Sequence, residues 1–427
     1  MPARTRTRQA RTAPARTAPA RTLPPRMLVG PARWGTAALG VALMVTLAGC
    51  VSPAPDASPQ TTTPAAGDSA TDRAPGPVSP VGDPVVIASD LDAPWSILRL
   101  PESGSAAGGT LISERDSALI RELLPDGSLR NAGSVPSARP SGEGGLLGLA
   151  YRPAESTDAA DGWVYAYFST AGDNRIERMP LSGTPGSLTL GAPELILDGL
   201  PRAGNHSGGR IGFGPDGMLY ATVGDAGNTD LAQDLNSLGG KILRMTPTGE
   251  VPTGADANPF DSLVYSFGHR NPQGIAWDSE GRLWSSEFGQ QTWDELNLIE
   301  AGANYGWPEV EGIADDPAFI DPVYQWTTDV ASPSGIAIVQ DTLFLANLRG
   351  ARLLRVDLGT INPADARSNT VDSSTVTVDE WFVNSYGRLR DVVSGPQGTL
   401  WFVSNNTDGR GTPAADDDRL YQVEVAP

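Results

Sequence analysis

Gly217-Met-Leu-Tyr-Ala-Thr222 and, 64 residues later, Gly281-Arg-Leu-Trp-Ser-Ser286 share one design: a turn glycine, then an apolar-rich strand with partial alternation. The pattern recurs as Gly109-Thr-Leu-Ile-Ser113, Gly162-Trp-Val-Tyr-Ala-Tyr167, Asp341-Thr-Leu-Phe-Leu-Ala346 and Gly398-Thr-Leu-Trp-Phe-Val403. Successive copies lie 53, 55, 64, 60 and 57 residues apart. Asp126-Gly127, Pro215-Asp216-Gly217 and Pro396-Gln397-Gly398 supply turn residues beside them. A repeat of this length fits one four-stranded antiparallel blade with long loops. Six copies therefore predict an all-β, six-bladed propeller over residues 83–427. A series of β-sandwiches is the competing arrangement, and the persistence of the period through the whole body favours the ring. Strands over 84–90 and 419–425 are expected to share a blade and close it. Ligands of such a ring bind in loops on one face, around the central channel, so the unusual loop segments should converge there.

Composition agrees. The chain has 427 residues with 49 Gly and 37 Pro, and long amphipathic helical stretches are hard to find after the first fifty residues. That is the composition of short strands and many turns. Residues 1–50 carry eight arginines and no acid, so the remainder sets 23 basic residues against 50 acidic ones. A body this acidic repels phosphate backbones and anionic lipid surfaces, which argues against a nucleic-acid partner. Lys241 is the only lysine, so arginine supplies nearly all positive charge.

The N-terminus reads as an export segment. Residues 1–33 are Arg-rich, and Trp34 to Leu47 form an apolar run of signal-peptide length, short for a membrane span. The run ends Leu47-Ala48-Gly49-Cys50, and Cys50 is the only cysteine. Small residues before that Cys resemble a bacterial lipoprotein cleavage site. Residues 1–50 are thus expected to be a lipoprotein signal peptide, with Cys50 lipidated and the protein held at the extracytoplasmic face of the cell membrane by that anchor alone. Residues 51–82, rich in Pro, Ala, Ser and Thr, are expected to be a flexible linker.

Four regions between the repeat markers are too particular for generic turns. They are Ser141-Gly-Glu-Gly-Gly-Leu-Leu-Gly148 and Gly204-Asn-His-Ser-Gly-Gly-Arg210; then Gly268-His-Arg-Asn-Pro-Gln-Gly274 with Ser286-Glu-Phe-Gly-Gln-Gln-Thr-Trp-Asp-Glu295 and Asn304-Tyr-Gly-Trp-Pro308; and Gly387-Arg-Leu-Arg-Asp391. His206 and His269 are the two histidines. His206 lies in a Gly-flanked loop, where backbone can approach a ligand closely. An imidazole titrates near neutrality and can take a hydroxyl proton. The bland alternative is a loop His that bonds only backbone. His269, beside Arg270, reads as structural.

These blocks, in this order over roughly residues 84–425, resemble the soluble pyrroloquinoline quinone (PQQ)-dependent glucose and aldose sugar dehydrogenases. The resemblance implies oxidation of the C1 hydroxyl of an aldose to a lactone, with PQQ and Ca²⁺ as cofactors and an external electron acceptor. It makes His206 the general base. Arg270 and Asn271 match residues that contact the quinone, and Arg270 would stabilise its added negative charge. Arg388 and Arg390 match a pair on the cofactor carboxylates, although their alternation along a strand-like stretch leaves open whether they point the same way. Arg349 falls where relatives carry Lys. The carbonyls of Gly289 and Gln290 match the ligands of the catalytic Ca²⁺. Glu295 and the Tyr305 carbonyl match a separate structural calcium site.

The sequence also departs from the family. Glu143 stands at a cofactor-contacting position where better-matched relatives carry Gln, and a carboxylate beside an anionic quinone needs a proton or a partner. Asn205, Phe288 and Gln290 differ from the usual residues. Two other readings compete. One is a non-enzymatic cell-surface propeller that binds carbohydrate or protein, which has little reason to keep His206, Arg270, Asn271, Arg388 and Arg390 together. The other is a calcium-dependent lactonase, which needs side-chain metal ligands in the channel.

Overall fold

A computed structural model describes residues 76–154 and 162–427. The predicted leader, Cys50 and most of the predicted linker lie outside the described residues. Within the described residues, six antiparallel sheets follow one another along the chain, each a blade. The innermost strands of blades 1 to 6 are Pro94–Arg99, Leu146–Pro153, Ile211–Phe213, Pro272–Trp277, Pro333–Val339 and Leu389–Ser394. The six repeat markers fall on the second strands: Thr110–Glu114, Gly162–Ser169, Leu219–Val223, Leu283–Glu287, Thr342–Asn347 and Thr399–Ser404. These strands are buried along nearly their whole length. Neighbouring blades cover both of their faces, which is why their alternation was only partial. The core is therefore a set of wedges between blades, such as the one that Leu111, Ile120, Leu149, Val164 and Phe168 fill between blades 1 and 2.

The ring closes in blade 6, where Ser79–Ala88 pairs antiparallel with Leu420–Ala426. The closing strand begins at Ser79, inside the stretch expected to be linker, so the folded body starts before residue 83. The reason is tertiary. Val78 is buried, its N–H donates to Thr342 Oγ1 at 2.9 Å, and its carbonyl accepts from Arg355 Nε at 2.6 Å.

Where the innermost strands meet the axis, five of the six change register near their first residues, at Pro94/Ser96, Leu146/Leu149, Pro272/Gly274, Pro333/Ile336 and Leu389/Asp391. Such irregularities bend a strand and re-aim its side chains. A buried ion pair lies among these strands: Arg210 Nη1 sits 3.0 Å from Asp391 Oδ2, which also accepts from Ile97 N at 2.8 Å. Arg210 lies over Trp95 at 4.2 Å, and Arg390 approaches the same ring at 5.9 Å. Gly335 makes room, since a Cβ there would lie 1.9 Å from Asp391 Oδ1. Burial works against both charges, raising the Asp391 pKa and lowering that of Arg210. Removing one partner strands the other without solvent. Asp391→Ala is expected to cost about 3–5 kcal/mol, measured by chemical denaturation.

Candidate active site

In each blade the loop entering the innermost strand and the loop leaving the second strand emerge on the same face, because the two strands are antiparallel. A cavity of about 440 Å³ opens there. Glu143, His206, Arg270, Asn271, Gly289, Gln290, Arg349, Arg388 and Arg390 all line it, together with Gln273, Phe288, Ser332, Leu348 and Arg410. Residues spread over more than 260 positions of chain thus meet in one hollow. Among the described residues, its lining sets five arginines against the single carboxylate of Glu143.

His206 has a left-handed backbone, φ 54°. Its N–H donates to Glu143 Oε2 at 2.9 Å, and its carbonyl accepts from Ala226 N at 3.3 Å. Gly224 lies so close that a Cβ would stand 2.1 Å from that carbonyl oxygen. The ring Nδ1 is 2.6 Å from Asp225 Oδ1. Asp225 has no exposed side-chain surface and also accepts from Gly227 N at 2.7 Å and Trp307 Nε1 at 2.9 Å. Burial pushes its pKa up, but the hydrogen bonds and the imidazole outweigh that and hold it below the ordinary carboxylate value. An ionised carboxylate only accepts, so in the neutral imidazole Nδ1 carries the proton and Nε2 holds the lone pair. Nε2 is left as the basic atom of a ring that lines the cavity.

The arginines differ in how they are held. Arg270 Nη1 donates to the Gly289 carbonyl at 2.6 Å and the Phe288 carbonyl at 3.2 Å, and its guanidinium lies 5.5 Å from the Trp307 ring centroid. Its Nε is buried without a hydrogen-bond partner. The backbone N–H groups of Arg270 and Asn271 both donate to Glu287 Oε1, and Glu287 Oε2 lies 2.8 Å from His269 Nδ1. His269 is fully buried and stacks on Tyr305 at 4.8 Å, the scaffold role expected of it. Asn271 Oδ1 accepts from Gly208 N at 3.0 Å, tying the Arg270 and His206 loops together.

Arg388 and Arg390 both line the cavity, which settles the direction that the sequence left open: they stand two positions apart, and residues i and i+2 of an extended stretch share a face. Arg388 pairs with Asp408 at 3.0 Å, while Arg390 bonds Asn405 Oδ1 and Gln273 Oε1. Burial lowers the Arg270 pKa and brings Arg390 down to about 9, still cationic at neutral pH. Arg349 is exposed at the rim.

The loop after Glu287 is governed by a residue that the sequence alone does not single out. Glu311 Oε1 accepts from the N–H groups of Gln290, Gln291, Thr292 and Trp293 at 2.6, 3.1, 3.1 and 3.3 Å. In a trans peptide the C=O points opposite to the N–H. Gathering the N–H groups of Gln290 and Gln291 therefore turns the carbonyls of Gly289 and Gln290 away from Glu311. The Gly289 carbonyl does face Arg270. Asp294 fixes the same loop, accepting from Gly289 N and from Ser332 N of the next blade.

Glu295 and Tyr305 do not reach the main cavity. They line a narrow crevice behind it with Glu287, Trp307 and Glu311. Glu295 accepts from Gly312 N at 2.8 Å and Asn297 Nδ2 at 3.1 Å, and burial, reinforced by the Glu287 charge, raises its pKa. Among the described residues no three His, Cys, Asp or Glu side chains converge as a metal-binding group. Asp225, Gln273, Glu311 and Arg410 are the site residues that sequence reasoning missed. Three of them had a positional signal: Asp225 and Arg410 come after second strands, and Gln273 lies inside the Gly268–Gly274 block.

Known proteins share this chain's pattern. The family model described as Glucose / Sorbosone dehydrogenase matches residues 91–413. The PQQ-bound aldose sugar dehydrogenase of Streptomyces coelicolor is 46% identical, with a TM-score of 0.72 over 83% of this chain and 99% of that one. The aldose sugar dehydrogenase YliI of Escherichia coli K12 is 29% identical, spanning 76% of this chain and 90% of the relative. Quinoprotein glucose dehydrogenase B of Acinetobacter calcoaceticus is 32% identical over 56% of this chain and 54% of its own length. The chain belongs to the glucose/sorbosone dehydrogenase family.

Proposed function

We propose that this chain is a PQQ- and calcium-dependent dehydrogenase that oxidises the C1 hydroxyl of aldose sugars to lactones and passes the electrons to an external acceptor. The observation that carries the reading is the convergence of the His206–Asp225 pair with five arginines in one hollow. A tricarboxylate fits such a lining, and the orphaned Nε of Arg270 is a donor awaiting an acceptor. For calcium, the loop held by Glu311 offers backbone carbonyl oxygens at Gly289 and Gln290, donors suited to a hard cation. Glu295 and the Tyr305 carbonyl are proposed to hold the second, structural calcium.

Bound PQQ would supply the hydride acceptor, its reactive carbonyl polarised by the metal. The protein does the rest. His206 Nε2 accepts the C1 hydroxyl proton as hydride leaves the same carbon, so two electrons and two hydrogens leave the sugar and the lactone C=O forms. Asp225 holds the ring and stabilises the imidazolium that results. Arg270 would stabilise the charge gained by the acceptor, and Arg349, Arg388 and Arg390 would offset the cofactor carboxylates. Asn271 positions the loop. We further propose that the protein is exported and anchored through a lipid on Cys50.

Reconstitution with PQQ and Ca²⁺, followed by dye reduction with a panel of aldoses, tests the reading. Sugar-dependent reduction is expected only when both cofactors are present. Absence of quinone binding under those conditions sinks it and favours a carbohydrate- or protein-binding propeller.

A further inference from the structure

We propose that Glu143 and Arg410 form a compensated charge pair, which lets this cavity keep a carboxylate beside the bound quinone and fixes the His206 loop. The pair's role rests on the quinone reading of the site. Among the described residues Glu143 is the only acid lining the cavity, and alone it would repel a tricarboxylate. Its Oε1 is 2.9 Å from Arg410 Nη1, and its Oε2 takes the His206 N–H at 2.9 Å. One carboxylate therefore faces a cation on one oxygen and positions the left-handed His206 backbone with the other.

Arg410 arrives from the far end of the chain, 267 residues away, and its loop is itself held. Asp408 Oδ1 accepts from Arg410 N at 2.8 Å and Gly411 N at 3.2 Å, and Asp408 Oδ2 pairs with Arg388. Asp408 thus locks Arg410 to one of the arginines proposed to hold the cofactor. The Arg410 side chain is 55% exposed, so the pair contributes little to folding. Its consequence is local: it returns to the cavity the positive charge that Glu143 removes, and the His206 N–H keeps a fixed acceptor. Both residues are positioning residues.

The test measures PQQ dissociation constants by quenching of tryptophan fluorescence, alongside kcat and thermal stability, for wild type, R410A, E143Q, E143A and the E143Q/R410A double variant. R410A is expected to weaken PQQ binding by about 10-fold, because it leaves an unmatched carboxylate at the site. E143Q/R410A should return to within about 3-fold of wild type, since both charges are gone. E143A should lower kcat through the loss of the His206 acceptor, and E143Q, which keeps an amide oxygen there, should recover it. Melting temperatures should move little in all four. If R410A binds PQQ as tightly as wild type, or if the double variant is as weak as R410A, the compensation idea is wrong. If wild type fails to bind PQQ at all, the quinone reading itself has failed, a distinguishable result.

Discussion

Asp225→Asn is expected to lower kcat by on the order of 10²–10⁴-fold while leaving the fold intact. Asp225 accepts from three protein groups, His206 Nδ1, Gly227 N and Trp307 Nε1, and its carboxylate is what places the proton on Nδ1. An amide in its place can turn its NH₂ toward the ring. Nδ1 would then become the acceptor and Nε2 would carry the proton, a tautomer that cannot take a proton from substrate. His206→Ala should cost as much. The double variant should be no worse than either single one, because the two side chains act as a unit. Steady-state kinetics of the three variants supply the check; additive losses, or a variant with full kcat, would contradict the assignment.

On the proposed function, in which the Gly289 and Gln290 carbonyls hold calcium, Glu311→Ala is expected to weaken calcium and quinone binding together, each by about 10–100-fold, the usual range for a residue that orients metal ligands. The effect is one of direction. Four N–H groups converge on one oxygen, and this convergence aims the Gly289 and Gln290 carbonyls. Burial raises the Glu311 pKa, but those N–H groups outweigh it and hold the acid ionised. Without the acceptor the loop can relax, and the carbonyls lose their common direction. Glu311→Gln keeps one acceptor oxygen and should lose far less. Calcium titration followed by calorimetry, with PQQ binding measured separately, distinguishes aim from stability. An unchanged calcium requirement in Glu311→Ala would remove Glu311 from the machinery.

The second strands were legible because burial on both faces made them runs of apolar and small residues, repeated six times. The outer strands were not, since strands such as Glu194–Leu200 are largely exposed and carry no such signature. Ser79-Pro-Val-Gly82 has the composition of the segment before it, and its order comes from partners more than 300 residues away. The cavity arginines and His206 stood out as Gly-flanked motifs. Arg388 and Arg390, two positions apart, share one side of an extended stretch, but that this side faces the cavity is decided by how the blades pack. Asp225 obeys a rule that the fold makes plain: a residue just past a repeat marker lies beside those leading into the innermost strand of its blade, here His206. Arg410 also follows its marker, but its side chain crosses to Glu143, ahead of the innermost strand of blade 2. Glu311 obeys no such rule. It reaches its loop from a long excursion after the third strand of blade 4, and only coordinates show the four amides it collects.

The closing strand has a practical consequence. A polypeptide trimmed at Asp83 would lack the residues that cover Glu424 to Ala426, leaving the outer rim of blade 6 with unpaired amides and carbonyls. Such an open border is a template on which a second molecule can add its own strand. Tendency to self-associate would then report where the domain was cut, and nothing about its chemistry.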